Sequence, residues 1–287
     1  MAVIITTDSS CDLNKEQLIE NNIKILPLYV NLNGEEFRDG VNISPEDIFT
    51  FVKENKKLPK TSAISQADFK AFFGEILKEN PDAEIVHIGL SSGLSTTYNN
   101  SVNAANEFDG KVISVDGKNL STGTGLLVLY ASSLAKQGLS KEEIAEKVTA
   151  RVPFVQASFI AQEIEYLWRG GRCSAVAMFG ANLLKIKPRI HVIDGTMKNN
   201  GKPRGKTVPV LKQYVDDVLK EYNNPDPTIC FVTHSSIEPE IAEEIAEYVK
   251  SKNIFKEVVT TIAGATITSH CGKGTLGILY INDGGNK

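Results

Sequence analysis

Short apolar runs alternate with capped helical segments through the first half of this chain, and few folds accept that pattern. Residues 2–6, 85–90 and 111–115 read as strands, the middle one carrying Ile85, Val86, Ile88 and Leu90. The segments between them carry helix signals. Ser44-Pro45-Glu46-Asp47 places a cap and a first-turn proline ahead of a helix to about residue 54. Ser65 is expected to cap a helix reaching residue 78, and Asp12 one that begins near Asn14. Further helices are expected at 95–106 and 122–136, with Gly138 as a stop and Ser140-x-x-Glu143 as a capping box for the next. Apolar strands separated by helical stretches of ~10–15 residues imply a parallel sheet with helices on both faces. Asn33-Gly34, between the β runs 26–32 and 35–38, predicts a type I′ hairpin.

The second half reads as α+β. Strands are expected at 152–160, 189–193, 196–198, 229–233, 257–261 and 275–281, with Asp194-Gly195 turning a hairpin. Helices are expected around 163–169 and 175–184, near 239–250, and where Val208, Leu211, Val215, Val218 and Leu219 share one face. With 287 residues, two domains are expected, an α/β domain at 1–155 and an α+β domain at 156–287, with the boundary near Pro153–Gln156.

Composition excludes several classes. Net charge −4 argues against a protein that grips nucleic acid through its phosphates. The first residues lack a basic signal-peptide start, and no apolar run approaches the ~20 residues of a membrane helix. Cys11, Cys173, Cys230 and Cys271 are scattered without a C-x-x-C spacing, which fits reduced cytoplasmic thiols better than a disulfide frame or a zinc site.

The chemistry-bearing segment is Ser91-Ser92-Gly93-Leu94-Ser95-Thr96-Thr97, which follows the strand at 85–90 and precedes a helix. Such a turn offers backbone N–H groups, hydroxyls and the positive end of a helix dipole to an oxyanion. Gly89-Leu90-Ser91-Ser92-Gly93 is also a formal G-x-S-x-G, with Asp116 and His270 following in hydrolase order. An esterase with Ser91 as nucleophile, Asp116 as orienter and His270 as base is therefore one reading, although no HGGG-like segment lies upstream. Lys60-Thr61-Ser62-Ala63-Ile64-Ser65 forms a second hydroxyl-rich loop, which would share a pocket with the first if the two face each other. Ser269-His270-Cys271-Gly272-Lys273-Gly274-Thr275 reads as a Gly-rich turn with one histidine and is not a Walker loop. Gly170-Gly171-Arg172 ends a helix in an arginine fork, and residues 198–206 form a basic turn. Asp8 and Asp12, after the first strand, are candidates for a Mg²⁺ or nucleotide site.

Taken together, Asp8-Ser9-Ser10-Cys11-Asp12, KTSAIS at 60–65, IGLSSGLSTTY at 88–98, IEYLWRGGR at 164–172 and SHCGKGT at 269–275 resemble the DegV family. These are bacterial fatty-acid-binding proteins that include the lipid-carrying subunit of fatty acid kinase. The ordered set, spanning nearly the whole chain, carries the resemblance. It implies two α/β domains with a long-chain fatty acid such as palmitate between them and no other cofactor or metal. Its carboxylate would meet hydroxyls at Thr61, Ser62, Ser92 and Ser95, with His270 nearby. Arg172 and Arg204 would correspond to residues that dock a separate ATP-dependent kinase subunit. The family often has Gly at the position of Thr96 and Pro at that of Lys273.

Physical chemistry agrees with that resemblance. Each buried methylene contributes ~0.8 kcal/mol, so a long tail can dominate affinity, while the buried head must still be hydrogen-bonded. The chain has no nucleotide loop of its own, so the expected role is lipid binding, with any phosphorylation done by a partner.

Overall fold

The structure, a computed structural model, describes residues 2–173 and 187–285; the helical segment expected at 175–184 lies outside them. In chain order the strands are β1 (Val3–Asp8), β2 (Lys24–Leu26), β3 (Tyr29–Leu32), β4 (Glu35–Arg38), β5 (Lys60–Ser62), β6 (Glu84–Gly89) and β7 (Val112–Asp116). They continue with β8 (Val155–Ile160), β9 (Arg189–Ile193), β10 (Thr196–Asn199), β11 (Ile229–His234), β12 (Glu257–Ile262) and β13 (Leu276–Ile281). The helices are α1 (Lys15–Glu20), α2 (Pro45–Asn55), α3 (Gln66–Glu79), α4 (Thr97–Ala105) and α5 (Thr122–Lys136). After these come α6 (Lys141–Arg151), α7 (Ile164–Gly170), α8 (Thr207–Glu221), α9 (Pro239–Lys250) and α10 (Ala265–Cys271).

The described residues form three sheets. The first is wholly parallel, in the order β2-β1-β6-β7, as the strand–helix alternation implied. β6 lies inside it with Ile85 to Gly89 buried, which explains an almost unbroken apolar run. The second sheet is mixed, β10-β9-β8-β13-β11-β12, with only β11 and β12 parallel, giving the second half its α+β character. Asp194 (φ 50°) and Gly195 (φ 77°) turn β9 into β10 with the paired positive φ values that a type I′ turn requires. The third is a small antiparallel sheet, β4-β3-β5.

Helix α5 is apolar on nearly every face because it is buried on nearly every face. It packs against β1 and β6 of the parallel sheet and against β8 and β13 of the mixed one. One continuous core therefore joins the two sheets, running from Ile5 and Ile88 through Leu127 to Phe159 and Leu279. A second core lies between the mixed sheet and helices α8 and α9, around Val215, Ile245 and Tyr280.

Four local readings change. The β run at 26–32 is two strands that join different sheets, because Pro27 lacks the N–H needed to continue a ladder. Residues 60–62 are a strand rather than a loop, pairing Val30 with Thr61 and Tyr29 with Ser62. Asn14, not Asp12, caps α1: its side chain accepts from Gln17 N in a capping box, while Asp12 turns left-handed at φ 51°. The Gly-rich turn at 269–275 contains the end of a helix, α10, with no cap in its own sequence. A seven-residue helix without local signals is hard to read from a sequence, and its caps come from elsewhere in the chain.

Candidate functional site

Helix α10 is held at its N-terminus by two acidic side chains distant in sequence. Asp39 accepts from Ala265 N (2.8 Å) and Thr266 N (3.1 Å), and Asp12 accepts from Gly264 N (2.8 Å). Both are buried, and Asp39 also receives the Ser9 hydroxyl at 3.0 Å. Ala265 packs with Val30, Ile43 and Ile48, which fixes α10 against the small sheet. The last turn of α10 then carries His270 to β5, where Nε2 lies 2.8 Å from Thr61 Oγ1. Burial, with the nearby Arg172 charge, lowers the His270 pKa to about 4, so the ring is neutral at pH 7. Its Nδ1 is buried and meets no partner among the described residues. Gly170, at the end of α7, closes on that same atom: a Cβ there would come within 2.6 Å of Nδ1.

The turn after β6 is organised differently from the open anion nest expected of it. α4 starts at Thr97 rather than Ser95, and the turn's N–H groups are largely spent internally. Leu94 N and Ser95 N donate to Ser91 O, Gly93 N to Ser91 Oγ, and Thr97 N to Ser95 Oγ. Ser92 N donates to Asp116 Oδ1 (3.1 Å), and Ser92 Oγ to Asp116 Oδ2 (2.6 Å). What the turn offers outward is therefore mainly hydroxyl groups, Ser95 Oγ being shared with Thr97 Oγ1 at 2.9 Å.

These segments converge. Thr61, Ser62, Ser92, Ser95 and His270 line one cavity of about 420 Å³, within the ~300–1,000 Å³ of ordinary ligand pockets. Leu28, Leu90, Leu94 and Met197 supply its apolar wall. Arg172 lines the same cavity, its Nη1 donating to Gly170 O at 2.8 Å, and is the one charged residue in the described lining. Arg204 lies apart, in another cavity beside the start of α8. Residues Ile267 and Cys271 of α10 face a small, almost wholly apolar void of about 30 Å³ bordered by Ala157, Phe159 and Leu279.

The hydrolase triad is not formed. Ser91 is fully buried and its hydroxyl donates to Gly195 O at 2.7 Å, riveting the turn to the β9–β10 hairpin. Gly93 is required there, since a Cβ would lie 2.7 Å from that same carbonyl oxygen. Asp116 is engaged by Ser92 and by Lys118 N, and His270 by Thr61. The Asp8–Asp12 loop is likewise structural: Asp8 accepts from Leu90 N (2.8 Å) and Ser10 N (3.0 Å), and Asp12 serves α10. Among the described residues no His, Cys, Asp or Glu grouping suits a metal ion, and no helix is long and apolar enough to cross a membrane. Cys11, Cys173, Cys230 and Cys271 are all buried, and none forms a disulfide among the described residues.

Three contributors escaped the sequence reading: Asp39, Asp116 as the partner of Ser92, and Gly170 as the neighbour of His270. Asp39 carries no local signal. Gly170 was visible as half of a Gly-Gly pair, of which only Gly171 (φ 71°) serves the helix end.

Comparison with known proteins gives a consistent set of likenesses. A family model described as an uncharacterised protein of the DegV family matches residues 2–283. A DegV domain-containing protein of Clostridium perfringens is 32% identical over 288 residues, covering 98% of this chain and 97% of its own length. A DegV family protein from Thermus thermophilus, described for its fatty acid binding, has a TM-score of 0.89 at 29% identity, with 99% of this chain and 100% of the other covered. A stearic-acid-binding protein from Eubacterium ventriosum has a TM-score of 0.85 at 26% identity, with 97% of each chain covered.

Proposed function

This chain belongs to the DegV family, and from that premise we propose that it is a cytoplasmic, non-catalytic carrier of a long-chain fatty acid. One observation carries the proposal: hydroxyls from β5 and from the turn after β6 share a cavity with a neutral, largely buried histidine and an apolar wall. The relatives described above as binding fatty acids support the ligand class.

In this reading the carboxylate meets Thr61, Ser62 and Ser95, with His270 behind Thr61 and Ser92 joining only when its hydroxyl leaves Asp116. Hydroxyls suit this task because each supplies a donor without a full countercharge, so the buried head is bonded rather than left unpaired. When His270 Nε2 carries the proton and donates to Thr61 Oγ1, the Thr61 hydroxyl keeps its own proton for the acid. The tail runs along Leu28, Leu90 and Met197 towards the apolar space behind α10. Fifteen or so methylenes at ~0.8 kcal/mol each leave the head free to be weakly held. A separate ATP-dependent kinase subunit then acts on the carboxylate, docking over Arg172 and Arg204. No metal or cofactor takes part in holding the acid.

The test is direct. Purified protein is denatured, extracted with solvent and the extract examined by mass spectrometry. We expect close to one C16–C18 acyl chain per protein, and a loss of palmitate affinity of roughly a hundredfold or more in Thr61→Val with Ser95→Ala, each lost hydrogen bond to a charged head contributing ~1.5–3 kcal/mol. Extracts with no acyl chain from the wild type, together with no uptake of added palmitate, would overturn the reading.

A further inference from the structure

Asp116 is the last residue of β7 and pairs in register with Gly89, the last of β6, so its side chain stands beside the turn that leaves β6. There it takes both donors of Ser92, the N–H at 3.1 Å and the hydroxyl at 2.6 Å, as well as Lys118 N at 2.9 Å. A serine hydroxyl has one proton and two lone pairs. With its proton pointed at Asp116, Ser92 shows the cavity only lone pairs. An ionised carboxylate is acceptor-only and cannot use them. The negative charge standing behind Ser92 is also of the same sign as the head group that the cavity is proposed to hold.

We propose that Asp116 is a positioning residue that sets how tightly, and which, head group is held, by withholding the Ser92 proton from the ligand. The inference rests on the carrier reading above and deepens it. Thr61, Ser62 and Ser95 hold the carboxylate, while Ser92 joins only when its hydroxyl leaves Asp116. The carboxylate is therefore held more weakly than the number of hydroxyls around it suggests. A neutral head that brings its own O–H, such as a fatty alcohol, can donate to the Ser92 lone pairs directly, so Asp116 narrows the preference for acid over alcohol.

Equilibrium binding of radiolabelled palmitate and of hexadecanol to delipidated protein tests this. Asp116→Asn keeps the shape, but its amide donates to Ser92 Oγ and frees the Ser92 proton. Palmitate affinity should rise roughly three- to tenfold, the range expected when one exposed hydrogen bond to a charged group is gained, while hexadecanol affinity stays within about twofold. Ser92 is exposed, so Ser92→Ala should fold normally. We expect it to cost at most about twofold for palmitate in the wild type, but to remove the gain in the Asp116→Asn background. Palmitate affinity unchanged or weakened in Asp116→Asn, or a tenfold loss in Ser92→Ala alone, would overturn the inference while leaving the carrier reading intact. Wild-type protein that binds no palmitate would instead sink the carrier reading, and this inference with it.

Discussion

At Gly170 there is no room for even one more methyl group, because a Cβ would sit 2.6 Å from His270 Nδ1. Gly171 supplies the left-handed residue that ends α7, so Gly170 answers to the ring and not to its own backbone. Overpacking of this kind costs ~1–3 kcal/mol. Gly170→Ala should push His270 away from Thr61 and lower palmitate affinity roughly tenfold. The far-ultraviolet circular dichroism spectrum should stay that of the wild type; unchanged affinity would remove His270 from the proposed head site. Ser91 teaches the complementary lesson at this scale. Its place in G-x-S-x-G made it the obvious nucleophile, yet its hydroxyl is consumed by Gly195 O. A hydroxyl's chemistry depends on where its single proton goes, and a motif does not record that.

Among the elements, α10 is the one on which the site turns. Its sequence, ATITSHC, has no capping residue, and the helix exists because Asp39 and Asp12 satisfy its first N–H groups from across the fold. Asp39→Ala would leave Ala265 N and Thr266 N unpaired in a buried position. We expect a loss of about 1–2 kcal/mol, read as a lower urea midpoint at unchanged slope, accompanied by weaker palmitate binding because His270 rides on the same helix. Elements with local signals behaved otherwise. Ser44, Ser65 and Ser140 each cap the helix that follows them in a capping box, and Asn33-Gly34 turns its hairpin with both φ values positive. Those signals need only a few neighbouring residues to act, which is why they are legible in one dimension. β5 and α10 have no such signals, and each was misread.

On the scale of the whole molecule, the two sheets are tied by the α5 core and, separately, by Arg151. This residue ends α6 and bonds Asp226 at 2.8 Å and Asp283 at 2.7 and 2.8 Å, with its guanidinium 4.5 Å over the Tyr130 ring. All three charged side chains are nearly buried. Arg151→Met should destabilise the protein by roughly 3–5 kcal/mol, since it removes the guanidinium that two buried carboxylates bond. The measurement is a denaturant titration, and a change below about 1 kcal/mol would show the pair to be unimportant. Adding the double replacement of Asp226 and Asp283 by Asn should recover part of the loss. By itself the sequence determined the α/β class, the parallel sheet of the first half, the helix starts capped by Ser44, Ser65 and Ser140, and the residue types able to meet a carboxylate, because each follows from periodicity, capping or side-chain chemistry within a short stretch. Only the tertiary structure decided that Thr61 lies against His270 across 209 positions, that Arg172 faces the hydroxyls while Arg204 does not, and that Ser92 gives its proton to Asp116. Those are outcomes of which surfaces pack together, and a hydrogen bond between residues so far apart leaves no trace in the neighbours of either.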